Sequence, residues 1–167
     1  MSETLVNIVA VGNVLMGDDG IGVVALERLA RRLGEVPGVV LHDAGLAVSD
    51  VLDDLDPTVP LIAIDAVDTG DAPGTVCRMP VAAVRNADGA LAGCLSLHEI
   101  NLVRALRLSA LAGHVFRDVT IFGVQPAHIE WGCDLSGEVA AALDELIEAV
   151  EAHVDAVCAA AAGENAS

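Results

Sequence analysis

The feature that most limits the fold of this chain is a short apolar segment joined to a helix by a glycine-rich turn. Residues 5–11, LVNIVAV, are rich in β-branched side chains and predict a buried strand. Residues 21–29, IGVVALERL, predict the first turns of a helix. The residues between them, GNVLMGDDG, therefore form a strand-to-helix turn with two adjacent carboxylates, Asp18 and Asp19.

The composition of this turn argues against a phosphate site. Strand-to-helix turns often bind phosphate, because backbone N–H groups and the helix dipole attract anions. Gly12 and Gly17 have the spacing of neither a dinucleotide fingerprint nor a P-loop, and no lysine follows them. Asp18 and Asp19 would also repel a phosphate. We expect one carboxylate to cap the helix, and the turn as a whole to suit a cation.

Apolar segments recur along the chain, and helices separate most of them. Further strands are predicted at residues 39–42, 61–64, 75–79 and 119–124, and further helices at 49–55, from 96 onward and at 136–161, with a short helix and a mobile loop within 80–93. Strand 75–79 follows strand 61–64 without a crossover helix, so it is predicted to be an antiparallel edge strand. The alternation is typical of an α/β fold with a mostly parallel five-stranded sheet covered on both faces. We expect a single domain over residues 1–162 and a frayed tail at 163–167.

Charge and cysteine usage exclude several classes of protein. The chain has 25 acidic and 8 basic residues, all of the latter arginine, and a formal net charge of -17. Such a surface opposes nucleic acid and anionic membranes as partners. No apolar run approaches the roughly 18 residues that span a bilayer, and the N-terminus lacks the basic start of a signal peptide, so we expect a cytoplasmic protein. The four cysteines, Cys77, Cys94, Cys133 and Cys158, are scattered, which predicts free thiols that act as small apolar residues.

Several polar side chains follow predicted strands and should meet at one edge of the sheet. These are Asp18 and Asp19 after the first strand, Asp43 after the second, Asp65 after the third and Gln125 after the fifth. Asp65 ends a fully apolar strand, where burial of a carboxylate is costly unless it is paired or bound to a metal. Asp19, Asp65 and His98, at a helix start, make a set of two carboxylates and one imidazole. That set suits a divalent first-row metal such as nickel or zinc.

Other catalytic sequence motifs are either absent or occur in a structural context that does not suit them. Asp68-Thr69-Gly70 matches the tripeptide of aspartic proteases, but such a site needs two carboxylates from two β-rich lobes, and only one copy stands here in an α/β pattern. We therefore interpret it as a turn. The chain has no G-x-S-x-G elbow and no H-E-x-x-H helix. The remaining histidines have no ligand-like spacing and are expected to be structural or solvated: His42, His114, His128 and His153.

Four segments, in this order, resemble the motifs of hydrogenase maturation proteases. These endopeptidases remove a C-terminal extension from the large subunit of nickel–iron hydrogenases. The segments are residues 12–22 (GNVLMGDDGIG), 64–70 (IDAVDTG) with Pro73-Gly74, 96–98 (SLH) and 122–126 (FGVQP). The similarity runs from residue 5 to residue 150 and implies a three-layer α/β/α sandwich. Within the family, the chain looks most similar to the branch that acts on the hydrogenase of formate hydrogenlyase.

The resemblance also implies a site. Its metal-binding and catalytic positions fall on Asp19, Asp65 and His98. Some members have glutamate at the first position, and many have proline where Leu97 precedes the histidine here, which bears more on the choice of hydrogenase than on the metal. The implied metal is nickel already inserted in the precursor of the large subunit, although another divalent cation would suit the same residues. The implied partner is that precursor, with neither nucleic acid nor a membrane involved.

Two other functions stay open at this point. A non-catalytic nickel-checking or metal-binding chaperone of hydrogenase assembly would use the same residues to bind the precursor without cutting it. A generic nucleotide-binding α/β module is the third possibility, and Asp18 and Asp19 argue against it.

Overall fold

A computed structural model describes residues 3–80 and 99–164, with side chains except those of residues 99–101 and 164. The strands are β1 (Val6–Val11), β2 (Val39–Gly45), β3 (Leu61–Ala66), β4 (Val76–Pro80) and β5 (Val119–Val124). The helices are α1 (Ile21–Leu33), α2 (Val48–Asp54), α3 (Glu99–Leu111), α4 (Gly137–Ala141) and α5 (Leu143–Glu164). A 3-10 turn, Gly17–Gly20, precedes α1.

The five strands form one sheet in the order β2-β1-β3-β5-β4. The pairs of β1 with β2, β1 with β3 and β3 with β5 are parallel, whereas β4 runs antiparallel to β5 at the edge. Every residue of β1, β3 and β5 is buried, as expected for strands that are covered on both faces. The predicted mostly parallel sheet with an antiparallel edge strand is confirmed.

Two apolar cores, one on each face of the sheet, make the three layers. On one face Ile8 and Ile64 pack with α1 and α5, whose buried side chains include Leu29 and Leu146. On the other face α2 and α3 cover the sheet, and the buried side chains there include Val9, Val11, Leu52, Ala63, Leu102 and Ile121. Because side chains alternate along a strand, β1 contributes Val6, Ile8 and Ala10 to the first core and Val9 and Val11 to the second. The α/β/α sandwich is therefore confirmed.

Some predicted boundaries are wrong. The helix predicted at residues 49–55 begins one residue earlier, at Val48, and ends at Asp54. The long helix predicted at residues 136–161 is interrupted at Ala142, and α5 then continues to Glu164, into the predicted tail. The helix and loop predicted within residues 80–93 fall largely outside the described residues. No helix of the described ranges is long and apolar enough to cross a membrane.

Candidate active site

The candidate site lies at the point of the sheet where successive strands are added on opposite sides of β1. From β1 the chain passes through α1 to β2 on one side, whereas β3 and β5 lie on the other side. In parallel α/β sheets this switch point opens a crevice at the carboxyl ends of the strands. The first turn of α1 fits tightly against this end, because a Cβ on Gly22 would overlap the carbonyl oxygens of Val11 and Ile64. Glycine at this position lets the turn before α1 lie directly beside β3.

Asp19 lies in this crevice and is fully buried. Its Oδ2 accepts a hydrogen bond of 2.9 Å from the backbone N–H of Asn13, within the same turn. The Asn13 side chain in turn accepts the backbone N–H of Leu15 at 3.0 Å. The turn thus orients the Asp19 carboxylate inward through its own backbone.

Asp65 lies beside Asp19, across Gly12. It is 1% exposed and is the penultimate residue of β3, and its Oδ1 accepts the backbone N–H of Ala66 at 2.8 Å. The backbone of Gly12 has φ +124, and a Cβ at this position would overlap the carbonyl oxygen of Asp19 and lie 3.8 Å from Oδ1 of Asp65. The absence of a side chain at Gly12 therefore lets the backbone of Asp19 pack against it, on the same residue that the Asp65 carboxylate borders. Asp19 and Asp65 thus both border Gly12, and the convergence of Asp19, Asp65 and His98 stays a prediction.

The third predicted ligand, His98, lies outside the described residues, as do Ser96 and Leu97. Within residues 3–80 and 99–164, no group of three or more His, Cys, Asp or Glu side chains is arranged to hold a metal ion. The described chain thus supplies two carboxylates at the switch point. Carboxylate oxygens combined with an imidazole match the donor preferences of divalent first-row metals.

The adjacent carboxylate, Asp18, has a structural role that the sequence did not reveal. Its Oδ2 accepts the backbone N–H groups of Ala127 at 2.8 Å and His128 at 3.3 Å, together with the hydroxyl of Ser136 at 2.9 Å. Its Oδ1 accepts the backbone N–H of Ser136 at 2.7 Å. The N-cap of α1 is Gly20, so the prediction that Asp18 or Asp19 caps α1 is wrong. Asp18 instead holds the loop of residues 126–136 against the turn of residues 12–20.

These hydrogen bonds determine the charge state of Asp18. Burial raises the pKa of its carboxyl group, but hydrogen bonds from Ser136, Ala127 and His128 together lower the pKa below its ordinary value. The carboxylate is therefore ionised at neutral pH and accepts all four hydrogen bonds.

Asp18→Asn should destabilise the protein and release this loop. In either orientation the amide NH2 of asparagine would face an N–H donor, so at least one charge-assisted hydrogen bond is lost. We expect the free energy of unfolding to fall by about 2–4 kcal/mol at pH 7. Because the folded-state pKa of Asp18 is lowered, its contribution is present above the unfolded-state pKa and is lost as pH falls through the folded-state pKa.

Denaturant unfolding from pH 7 to pH 3 would measure this difference. The gap between wild type and Asp18→Asn should shrink at the acidic end. Asp134→Asn is the control, since Asp134 is an exposed acid on the same loop. An equal effect of both substitutions would show that the hydrogen bonds of Asp18 are not its source.

Gln125 orders a second loop at the same edge. It is 8% exposed, and its Oε1 accepts the backbone N–H groups of Thr69 at 2.7 Å and Gly70 at 3.0 Å. Its Nε2 donates to Oδ1 of Asp68 at 3.2 Å, and that oxygen also accepts the N–H of Gly70. Residues 68–70 are thus a hydrogen-bonded turn, which confirms the interpretation of the Asp68-Thr69-Gly70 tripeptide.

The other residues that the sequence singled out have surroundings of their own or lack a described position. Asp43 pairs with Ala10 within the sheet and is exposed, and β2 continues beyond it to Gly45. His42 lies 3.0 Å from the side-chain oxygen of Asn7, and burial lowers its pKa, as expected for a structural histidine. Cys133 and Cys158 are free thiols, as predicted, but Cys133 is exposed rather than packed in the core; Cys77 is half-buried, and Cys94 lies outside the described residues.

Comparison with known proteins identifies the family. The model of the hydrogenase maturation protease family matches residues 23–153. HupM, a hydrogenase expression/formation protein of Azotobacter chroococcum, is 36% identical over 138 residues, which are 82% of this chain and 65% of HupM. HoxM of Cupriavidus necator is 32% identical over 83% of this chain and 68% of its own length. The chain thus spans about two thirds of these relatives.

For other relatives, the similarity extends over most of both chains. The hydrogenase 2 maturation protease of Escherichia coli is 30% identical over 86% of both chains. The solved structure of the E. coli hydrogenase maturating endopeptidase HybD superimposes with a TM-score of 0.72 at 27% identity, covering 90% of this chain and 91% of HybD. HybD from Thermococcus kodakarensis superimposes with a TM-score of 0.71 at 26% identity. The superposition covers 87% of this chain and 96% of that HybD. These similarities do not single out one branch, so the formate hydrogenlyase branch stays a prediction. The chain belongs to the hydrogenase maturation protease family and is a peptidase of hydrogenase maturation.

Proposed function

We propose that this chain removes the C-terminal extension from the large-subunit precursor of a nickel–iron hydrogenase, and that it does so after nickel has been inserted. The observation that carries the proposal is that two buried acidic residues flank Gly12 at the switch point of the sheet, Asp19 through its backbone carbonyl and Asp65 through its carboxylate. Carboxylates that are held this close to the crevice can contact a metal ion presented by a protein bound there. The family to which the chain belongs supplies the class of reaction.

In this proposal nickel is part of the substrate. Asp19, Asp65 and His98 would contact the nickel of the precursor, and the donor types fit that metal. The contact would position the scissile peptide bond beside the two carboxylates. Either carboxylate could then accept a proton from the water that attacks the peptide carbonyl. The number of protein ligands is small, so we expect tight metal binding only in the complex with the precursor.

A chaperone that checks nickel without cutting the precursor would use the same residues. Family membership favours the peptidase, since its relatives include a maturation protease and maturating endopeptidases. We also propose that the chain acts in the cytoplasm, where it would meet the newly made precursor, and that it has no nucleic-acid partner, in keeping with its net charge of -17.

Incubation of the purified chain with nickel-loaded or nickel-free precursor would test the proposal. Intact-mass measurement should detect a truncated large subunit and the released peptide only in the nickel-loaded sample. Binding of loaded precursor without any change of mass would indicate the chaperone. Cleavage of nickel-free precursor in the presence of a chelator would contradict the role of nickel.

A further inference from the structure

Four large apolar side chains are exposed around the turn that carries Asp19. The exposed fractions are 82% for Trp131, 65% for Leu46, 49% for Leu15 and 43% for Val14. Water solvates apolar side chains of this size poorly, and a cluster of them on a surface marks a place of contact with another molecule.

The backbone holds these residues near one another. The N–H of Gly132, the neighbour of Trp131, donates to the carbonyl oxygen of Leu15 at 3.0 Å. Leu46 follows Gly45, whose carbonyl oxygen accepts a hydrogen bond of 3.0 Å from the first residue of the turn. The exposed apolar residues therefore lie on three segments that are hydrogen-bonded around the candidate site.

Among the described residues, the segments at the same edge of the sheet carry mainly acidic side chains. Residues 12–20, 43–47, 65–72 and 125–137 contain eight aspartates and glutamates and no arginine, in a chain that has no lysine. The exposed acids among them are Asp43, Asp68, Asp71, Glu130 and Asp134. Such a surface attracts a basic partner and repels an acidic one.

We infer that Val14, Leu15, Leu46 and Trp131 form a docking surface for the precursor, and that its occupant is a segment in which apolar side chains alternate with arginine or lysine. The inference rests on the proposed function. Trp131 has the size and exposure of a binding anchor, because a tryptophan that becomes buried in an interface contributes a large apolar area. The acidic residues around it would pair with the basic side chains of the segment. Docking there places the precursor directly beside Asp19.

Steady-state processing of nickel-loaded precursor would test the docking surface. Trp131→Ala should raise KM about 30-fold, as expected for loss of an interface anchor, while kcat changes less than about twofold. Leu111→Ala is the matched control, since Leu111 is 85% exposed at the C-terminal end of α3 and outside the four segments. It should leave KM unchanged. Both variants should retain the melting temperature of the wild type.

Charge gives a second, independent test. Glu130→Gln combined with Asp134→Asn should raise KM at low salt, and the difference from wild type should disappear in about 1 M salt, where charges are screened. The control pair, Asp53→Asn with Asp54→Asn, removes two exposed acids of α2 and should have no such effect.

Because Trp131 is the only tryptophan of the chain, 5-fluorotryptophan would give a single ¹⁹F resonance that reports directly on the surface. It should shift when precursor is added. A shift that depends only on the concentration of this chain would show that a second copy occupies the surface and would overturn the inference. An unmoved resonance together with an unchanged KM for Trp131→Ala would also overturn it. A wild-type chain that cuts no loaded precursor would instead refute the proposed function.

Discussion

Asp65→Asn should lower the rate of precursor processing at least about 100-fold while the protein remains folded. Asparagine has the volume of aspartate, and its Oδ1 can still accept the backbone N–H of Ala66 that Asp65 accepts at 2.8 Å. The negative charge is lost, and the second carboxylate oxygen is replaced by an NH2 donor. Removal of a group that accepts a proton or contacts the substrate metal costs about two to four orders of magnitude in rate. The free energy of unfolding should change by less than about 1 kcal/mol.

The measurement is single-turnover cleavage of nickel-loaded precursor, alongside denaturant unfolding of each variant. Asp53→Asn is the control, because Asp53 is an exposed acid of α2, outside the four segments at this edge of the sheet. It should keep most of the wild-type rate. Wild-type processing by Asp65→Asn would remove this carboxylate from the mechanism, and failure of the variant to fold would assign Asp65 a structural role.

Gly12→Ala should be the most destabilising single substitution in the turn. Its backbone φ of +124 is one that alanine rarely adopts, and the new Cβ would overlap the carbonyl oxygen of Asp19. Relief of this overlap requires movement of the backbone that positions Asp19. We expect a loss of more than about 3 kcal/mol in the free energy of unfolding, and no measurable processing.

Substitutions at two other glycines separate the loss of stability caused by an unfavourable φ from the loss caused by steric overlap. Gly70 has φ +75 but open space around it, so Gly70→Ala should cost only about 1–2 kcal/mol, which is the conformational penalty alone. Gly132 has neither a positive φ nor a close neighbour, and Gly132→Ala should be nearly neutral. Thermal unfolding of the three variants would rank them. Equal losses for Gly12→Ala and Gly70→Ala would show that close packing against Asp19 contributes nothing.

The sheet and the position of Asp65 could be predicted from sequence because local patterns determine them. Runs such as residues 61–64 and 119–124 are apolar throughout, and in a sheet covered on both faces such runs become central strands. The end of an apolar run marks the end of its strand to within a residue or two. A carboxylate at that point must then lie at the carboxyl edge, as Asp65 does.

The roles of Asp18 and Gln125 could not be predicted in the same way. Their partners lie in irregular segments far along the chain, and no periodicity connects them. Asp18 and Asp19 are adjacent and chemically identical, yet one accepts hydrogen bonds from the loop of residues 126–136 and the other from its own turn. Only the path of that loop distinguishes them. The interruption of the last helix at Ala142 could not be predicted either, since the sequence around it is helix-forming on both sides.

The hydrogen bonds of Asp18 have a consequence for when the site can form during synthesis of the chain. Its partners, Ala127, His128 and Ser136, lie 109 to 118 residues later in the chain. During synthesis the turn of residues 12–20 emerges from the ribosome early. The carboxylate of Asp18 has no hydrogen-bond donors from the loop of residues 126–136 until that loop has been made. A nascent chain therefore displays the motif without a finished site. We therefore expect no peptidase activity from a nascent chain that stops short of Ser136.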